Sequence, residues 1–455
     1  MVRILSGVML VLGMFLIPYF AVDSWAEGQK NQTQVAKSPE ESQIEQLKQE
    51  IEIIQNQNQK QIEELQKKIE GLEKKEAKAP EKGKFPGNFD AGYKDGLYLK
   101  TRNDKFSLKF NVLFQGQFFL QTFDNDRGLD KDKQITIQIR RLRLFFTGNG
   151  FFPWMKYFVQ VGSDKGGSFE IKDAFLDFAY YPELTPRIGQ WKVPFQREEL
   201  TSDAFLEFGA DRSIVNDEFT FERDLGVEIY GSLINNLIEY AGGVFNGAGR
   251  NVSPNPNGTN LLYAGRVVFQ PFGKYEYSQG DLRDDPTQPL FAIGAAVAGL
   301  PNFNPTTATS SRANLAKAVL AIDPNIKNAD VFQFTADVGF KYYGFAFEGE
   351  YDMRRIFHIQ STAAINNPAT AHGLRLQAGY LFLPPHFEVA FRYGIVDPNN
   401  HKSGDRKQEF TPALNYYIYK HRLKVGVNYS LLLQQDSNGG NFKDNRFRIQ
   451  TQLYF

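Results

Sequence analysis

The feature that most constrains this 455-residue chain is a two-residue alternation of apolar and polar side chains that begins near residue 97 and continues to residue 455. Successive side chains of a β-strand point to opposite faces, so each alternating segment predicts a strand with one apolar and one polar face. In residues 106–121 the apolar phase holds Phe106, Leu108, Phe110, Val112, Phe114, Phe118 and Leu120, and the polar phase holds Ser107, Lys109, Asn111, Gln115, Gln117 and Gln121.

About sixteen such segments follow one another, many near the 9–11 residues with which a tilted strand crosses a bilayer. Short connectors such as Ile234–Asn236 alternate with long ones such as Gly247–Asn260, which is typical of outer-membrane barrels with short periplasmic turns. The strands of a soluble β-helix or sandwich also alternate apolar and polar residues. Such a fold buries its aromatic face against another sheet, however, and does not account for the alternation of short and long connectors. We therefore predict an all-β fold, a transmembrane antiparallel β-barrel of about 16 strands, over residues 85–455.

Composition excludes several other classes. The chain has no cysteine, a formal net charge of zero and only 42% hydrophobic residues, so it lacks disulfides and thiolate metal sites and is too polar for a helical membrane protein. A neutral chain also argues against nucleic acid as a partner. The five histidines lie in loops or at strand ends, which favours chance surface placement, so we expect no enzyme, no catalytic residue, no metal site and no cofactor. A lipid-hydrolysing barrel is an alternative without a supporting motif.

The first 84 residues differ in pattern from the rest. Residues 1–26 combine Arg3, a long apolar run and the small residues Ser24 and Ala26, which predicts a signal peptide, with a retained anchor helix as the alternative. Residues 27–84 predict a periplasmic α-helical coiled coil and linker that self-associates, because a capping sequence begins at Ser38 and heptads follow. The heptad positions are Ile44, Leu47, Ile51, Ile54, Ile62, Leu65, Ile69 and Leu72. Peptidoglycan is a candidate partner of this segment.

In the final segment apolar and polar residues alternate up to the last residue, which is aromatic. Residues 445–455, NRFRIQTQLYF, place Phe447, Ile449 and Phe455 on the apolar face. We interpret this segment as the closing strand of the barrel, in contact with outer-membrane lipid. Bacterial outer-membrane barrels share this ending, and the resemblance implies that Phe455 is an assembly signal for the barrel assembly machinery.

A more specific resemblance lies upstream. The segments IRRLRLFFTGNG (139–150), IKDAFLDF (171–178), GQWKVPFQREELTS (189–202), ERDLGVEIYG (222–231) and GVFNGAG (243–249) resemble the phosphate-selective porin O and P family. The resemblance implies a homotrimeric, 16-stranded, anion-selective channel in the bacterial outer membrane. The chain departs from the family's expected basic constriction, however, because the loop predicted to fold inward, Gln196–Asp224 (the constriction loop), holds nine acidic residues and only three arginines.

Two sets of charged residues are predicted to line the pore. In the constriction loop they are Glu198, Glu199, Asp203, Glu207, Asp211 and Arg212. On the polar strand phase they are Arg140, Arg141, Arg143, Lys192, Arg266, Arg375, Arg392, Arg446 and Arg448. A β-bulge near Arg140 is needed to turn the first three arginines inward, since a lipid-facing arginine at the midplane costs roughly 2–4 kcal/mol.

These patterns predict an outer-membrane porin that forms a water-filled diffusion channel for small solutes, with anions such as phosphate as candidates. A basic wall opposite an acidic loop predicts a transverse field that screens solutes by charge and size. For any single wall charge, pairing with a wall acid such as Asp173 or Glu348 is an equally good interpretation. The alternative function is an envelope tether or adhesin in which the barrel is only an anchor.

Overall fold

The computed structural model describes residues 49, 51–57, 59–68, 89–124, 133–209, 211–253, 255–308, 310–361, 368–382, 386–435 and 440–455. The chain divides into two compact units, residues 1–83 and residues 84–455. In the first unit, residues 51–57 and 59–68 are helical; the coiled coil remains a prediction, and the signal peptide lies outside the described residues. Within the described ranges, no helix is long and apolar enough to cross a membrane.

The second unit holds eighteen described strands. Their bounds are β1 Phe89–Tyr93, β2 Leu97–Thr101, β3 Ser107–Thr122, β4 Lys133–Asn149, β5 Met155–Asp164, β6 Glu170–Phe178, β7 Thr185–Lys192, β8 Arg223–Leu233, β9 Ile238–Phe245, β10 Leu262–Phe269, β11 Leu290–Phe303, β12 Asn328–Tyr342, β13 Phe345–Gln360, β14 Ala369–Phe382, β15 Phe387–Asp397, β16 Lys407–Tyr419, β17 Leu423–Gln435 and β18 Asn441–Tyr454. Three short helices lie between strands: α1 Arg197–Leu200, α2 Ile214–Phe219 and α3 Ala313–Leu320.

Strands β3 to β18 form a closed barrel of sixteen antiparallel strands, which confirms the predicted architecture. Each strand pairs with its sequence neighbour, and β18 pairs with β3 from Asn445↔Thr122 to Tyr454↔Leu113. The backbone N–H of Val112 donates to the Phe455 carbonyl at 2.8 Å, so the last residue is part of this seam. Strands β1 and β2 form a hairpin, and β2 pairs with the start of β3, Ser107–Phe110.

The connectors form two groups at opposite ends of the barrel. At the end where β3 begins, most connections are short; Tyr343 and Gly344 join β12 to β13 with φ of 48° and 81°, as a primed two-residue hairpin turn requires. We call this the short-turn end and the opposite one the long-loop end. One connector breaks the predicted rhythm: residues 270–289, between β10 and β11, form a long segment at the short-turn end.

The register of β3 and β4 shows the predicted bulge. Gln115 pairs with Arg141, and the next residue, Gly116, pairs with Ile139, which leaves Arg140 without a partner in the ladder. This extra residue changes the phase of β4, so that the isoleucines before it and the leucines after it share the outward face.

The largest apolar core lies inside the barrel, against β7 to β13. It joins side chains of these strands, such as Trp191 and Leu300, to Leu315 and Val319 of α3, in the connector between β11 and β12. Arg312 fastens this connector, since its guanidinium is 2.6 Å from the Asp224 carboxylate. The lumen is therefore filled on this side, and the large polar cavity lies against β3 to β6 and β16 to β18.

Candidate functional site

The constriction loop connects β7 to β8 and lies inside the barrel. Most of its side chains are buried, including Glu198, Phe208 and Phe219, each with none of its surface exposed. Helix α2 begins after Ser213, whose Oγ accepts a hydrogen bond from the N–H of Asn216. Its apolar face packs Val215 and Phe219 against the barrel wall, in contact with Ala371 and Val396.

Ion pairs fix the first part of the loop to β12, β14 and β15. Arg197 Nε is 2.5 Å from Asp337 Oδ1. Glu198 lies between two wall arginines, 3.4 Å from Arg375 and 3.5 Å from Arg392. Since Glu198 is fully buried and also accepts from the Ser213 N–H at 3.0 Å, it holds the loop in place and does not face the cavity.

Two aspartates fix the second part of the loop to β4 and β18. Asp203 Oδ2 is 3.2 Å from Arg141, and Asp211 bridges Arg140 at 2.9 Å and Arg448 at 2.7 Å. Burial alone disfavours the charged form of Asp211, but the two guanidinium groups outweigh it and hold the pKa of this carboxyl below its ordinary value. Both aspartates are therefore ionised and paired at neutral pH.

The turn of the loop at Asp203–Leu206 is held by side chains that donate to its backbone carbonyls. Gln115 Nε2 donates to Asp203 O at 3.0 Å, and Gln452 Nε2 donates to Ala204 O at 2.8 Å. Lys424 Nζ donates to Leu206 O at 2.5 Å. These donors come from β3, β17 and β18, so the strands next to the seam bind the loop directly.

The long connector 270–289 also enters the lumen and meets the constriction loop. The N–H of Gln279 donates to Phe205 O at 2.9 Å, and Gln279 Oε1 accepts from the N–H of Glu207 at 2.8 Å. Lys341 of β12 holds the connector by donating to Ser278 O at 2.6 Å. The sequence prediction missed this interior segment; the length of the connector was the available signal.

Glu207 differs from most of the loop acids because, among the described residues, its carboxylate makes no ion pair and lies beside another carboxylate, that of Glu388. Glu207 Oε2 accepts from Gln377 at 2.9 Å. Burial, followed by the neighbouring Glu388 carboxylate, raises the pKa of Glu207 well above its ordinary value. Glu388 in turn accepts from the Tyr417 hydroxyl at 2.5 Å. This pair of carboxyl groups is thus a second type of contact between loop and wall.

A polar cavity of about 710 Å³, the long-loop vestibule, lies between the constriction loop and the wall. The predicted residues that line it are Arg140, Arg141, Arg143, Arg446, Arg448, Glu199, Asp203, Asp211 and Arg212. Ten basic residues line the vestibule: the five wall arginines just named, Lys165, Lys172, Arg212, Arg223 and Arg250. Seven acidic residues line it: Asp164, Glu199, Asp203, Asp211, Asp217, Glu222 and Glu409. With every group ionised, the lining carries a net charge of +3.

Four predicted wall residues and two predicted loop residues do not line this vestibule. They are Lys192, Arg266, Arg375, Arg392, Glu198 and Glu207. The polar phase places these wall cations inside the barrel, but the chain between β7 and β8 covers them: Arg266 donates at 2.7 Å to the carbonyl of Phe195, just before the constriction loop, and Lys192 donates at 3.0 Å to that of Thr201, within the loop. Alternation identifies the face of a strand and cannot tell whether a loop occupies the space in front of it.

A second cavity, of about 930 Å³, lies at the short-turn end. We call it the short-turn vestibule. Its charged lining consists of Lys274, Arg283, Lys341, Lys420, Arg422, Glu239, Glu276 and Asp284. Five basic and three acidic side chains give a net charge of +2, so both vestibules carry positive charge.

Comparison with known proteins gives the relationship of this chain. A protein of Aquifex aeolicus (strain VF5) described as uncharacterized is 23% identical over 343 residues, which cover 70% of this chain and 76% of that protein. Similar solved structures include an anion-selective porin from Comamonas acidovorans, 12% identical with a TM-score of 0.48 over 76% of this chain and 100% of that one. The outer membrane channel DcaP of Acinetobacter baumannii is 13% identical with a TM-score of 0.47, over 78% and 99%. The family model described as phosphate-selective porin O and P matches residues 110–283 and 358–455, which is more than half of the chain, and the chain therefore belongs to this family of outer-membrane porins.

Proposed function

We propose that this porin is a diffusion channel with a modest preference for small anions and without a tight phosphate site. The observation that carries the proposal is the pairing of the constriction-loop acids with wall cations. The sequence predicts an acidic loop facing a basic wall across water. In the structure the acids of the loop contact the cations of the wall. Because each ion pair acts as a small dipole, its effect on a passing ion is weaker than that of a single charge. The excess positive charge of both vestibules then sets the sign of the field.

Arg446 is the arginine best placed to act on solutes. It lines the long-loop vestibule, and among the described residues no carboxylate lies within ion-pair distance of its guanidinium, although its Nε is itself buried. By contrast, Arg140 and Arg448 are bound to Asp211. A tight phosphate site needs several convergent donors, and here phosphate would have to displace carboxylates from most of them. This favours passage of anions over their retention.

We further propose that the chain forms a homotrimer, with the short-turn end and the helical segment on the periplasmic side. The family resemblance supports the trimer, and the predicted coiled coil is consistent with self-association. Outer-membrane barrels have their short turns on the periplasmic side, which supports the orientation.

The test is single-channel recording of the purified full-length protein in a planar bilayer with a potassium chloride gradient. We expect an open channel whose reversal potential has the sign of chloride preference, and a chloride current that micromolar phosphate does not block. A cation-selective reversal potential contradicts the proposal, as does block by micromolar phosphate, which would restore a phosphate-specific function. A barrel without conductance would favour the tether.

A further inference from the structure

Strand β4 extends past its neighbour β5 at the long-loop end of the barrel. The ladder between the two strands ends at Arg141↔Asp164, and one more backbone hydrogen bond joins the Lys165 N–H to the Arg140 carbonyl at 3.1 Å. Strand β5 stops at this point, whereas β4 continues upward to Lys133. Among the described residues, positions 133–139 therefore pair with β3 on one side only, and we call this segment the free edge.

The free edge lies level with the apolar outer belt of the barrel. Its outward side chains are Ile135, Ile137 and Ile139, which pair across the ladder with Leu120, Phe118 and Gly116 of β3; these pair in turn with Phe447, Ile449 and Thr451 of β18. Neighbouring strands thus present apolar side chains outward on the same rungs. In an outer-membrane barrel such a band faces the hydrocarbon of the bilayer, so the free edge borders hydrocarbon as well.

The isoleucines of the free edge are highly accessible. Ile137 exposes 84% of its surface, the largest exposed fraction of any large apolar side chain among the described residues, and Ile135 exposes 67%. Ile293 also lies on the outer face, but it exposes only 50%, because β11 is paired with β10 on one side and β12 on the other. The high exposure of Ile135 and Ile137 follows from the missing neighbour.

The inner face of the same segment is polar. Gln134, Thr136 and Gln138 line the long-loop vestibule, and so does Lys165 in the turn after β5. The vestibule therefore borders the place where the ladder between β4 and β5 ends. Lipid that covered the free edge would contact both unpaired backbone groups and the polar lining of the vestibule.

The requirements of the free edge identify the kind of partner that covers it. The backbone N–H and C=O groups that point away from β3 need hydrogen-bond partners, and hydrocarbon offers none. An unpaired strand edge is also a ready template for contact with another chain. The partner must therefore be a protein with an apolar surface at the same height in the membrane. A second copy of this chain meets this condition, because its outer belt lies at the same level as that of the first copy.

We propose that the free edge is the contact through which one copy of this chain binds the next, a proposal that rests on the homotrimer proposed above. Each copy offers its edge to a different surface of its neighbour, and rotation about an axis along the membrane normal closes the ring with every edge covered. Ile135 and Ile137 pack against outward side chains of the neighbour, and polar groups of the neighbour bind the unpaired backbone groups.

The experiment is photo-crosslinking of the full-length protein in outer membranes, with Ile137→p-benzoylphenylalanine as the probe. We expect a product of twice the chain's mass whose peptides all come from this chain. Ile293→p-benzoylphenylalanine is the matched control, because Ile293 is an outward isoleucine on the far side of the barrel. In a three-membered ring that side faces lipid, so the control should crosslink lipid and give no product of twice the mass.

A second measurement follows dissociation of the oligomer in mild detergent. Ile135→Ala/Ile137→Ala removes only outward apolar atoms, so the barrel should still fold, which the migration of the unheated protein on a gel reports. Its oligomer should dissociate faster by about tenfold or more, since two packed side chains are truncated. Ile293→Ala/Val297→Ala is the control pair, with side chains 50% and 48% exposed on the outer face of β11, and it should leave the rate unchanged.

The proposal is overturned if position 137 crosslinks only lipid or a different protein while the chain migrates as a trimer. It is overturned equally if both alanine pairs change the dissociation rate by the same factor, or if neither pair changes it. A wild-type protein that is monomeric both in mild detergent and in crosslinked membranes would instead contradict the proposed homotrimer itself.

Discussion

Replacing Arg446 by glutamine should reduce the chloride-to-potassium permeability ratio by about threefold. The change removes one of the three excess positive charges of the long-loop vestibule. A unit charge about 7 Å from the ion path contributes about 0.6 kcal/mol in water, and a Debye length of about 10 Å at 0.1 M salt reduces this to about 0.3 kcal/mol. Chloride loses this energy and potassium gains it, so the difference of about 0.6 kcal/mol corresponds to a factor of about three.

The measurement is the reversal potential of single channels in a potassium chloride gradient. Lys443→Gln is the matched control, because Lys443 is an exposed residue of the same strand that does not line the vestibule. It loses the same charge and should leave the ratio unchanged. At 1 M salt the effect of Arg446→Gln should nearly disappear, since the Debye length falls to about 3 Å. An equal shift in both variants, or no shift in either, would show that Arg446 does not act on the ion path.

Three further changes test the loop and the seam. Asp211→Asn should weaken docking of the constriction loop by about 1.5–3 kcal/mol, because two guanidinium groups lose their ionic partner; faster tryptic cleavage within the loop is the measurement, and wild-type resistance would contradict it. The pKa of Glu207 is raised, so loop docking is strongest below the ordinary carboxyl value of 4.5 and weakens as the pH rises towards the raised value. Glu207→Gln mimics the protonated acid and should remove this pH dependence of cleavage; a pH profile equal to that of the wild type would refute the assignment. Deletion of Phe455 should reduce the surface level of the barrel without affecting synthesis or export, since it removes the backbone pair with Val112 and the predicted assembly signal; normal surface levels would show that this signal is dispensable.

The sequence predicts the barrel well because lipid imposes a rule on every strand. An outward side chain must be apolar, so the alternation reveals strand number, facing and even the bulge at Arg140. No such rule applies to the side chains that face the lumen. Arg375 contacts Glu198 only because the constriction loop folds inward at that place. The sequences of the wall strands do not specify where the loop lies.

The inward face of β4 shows how much of the lumen lining was nevertheless present in the sequence. After the bulge, Phe145 follows the phase of Arg143, so its inward direction can be derived from the same pattern that identifies the arginines. What alternation could not give is its contact with Phe158 on the next strand, which depends on the register between β4 and β5. The 270–289 connector was indicated only by its length, which is unusual among the short turns at that end; neither length nor composition specifies which space the connector occupies.

The hydrogen bonds from Gln452 and Lys424 to the constriction loop have a consequence for the order of assembly. Both donors belong to the last two strands, and they bind carbonyl groups of a loop whose residues lie more than 200 positions earlier in the chain. When β18 joins β3, these side chains find their acceptors only if the loop is already folded inward. Closure of the seam is thus coupled to correct packing of the interior, and a barrel whose loop remains outside loses stabilising contacts at its final step. Closure of the barrel is therefore more favourable when the constriction loop already lies inside the lumen.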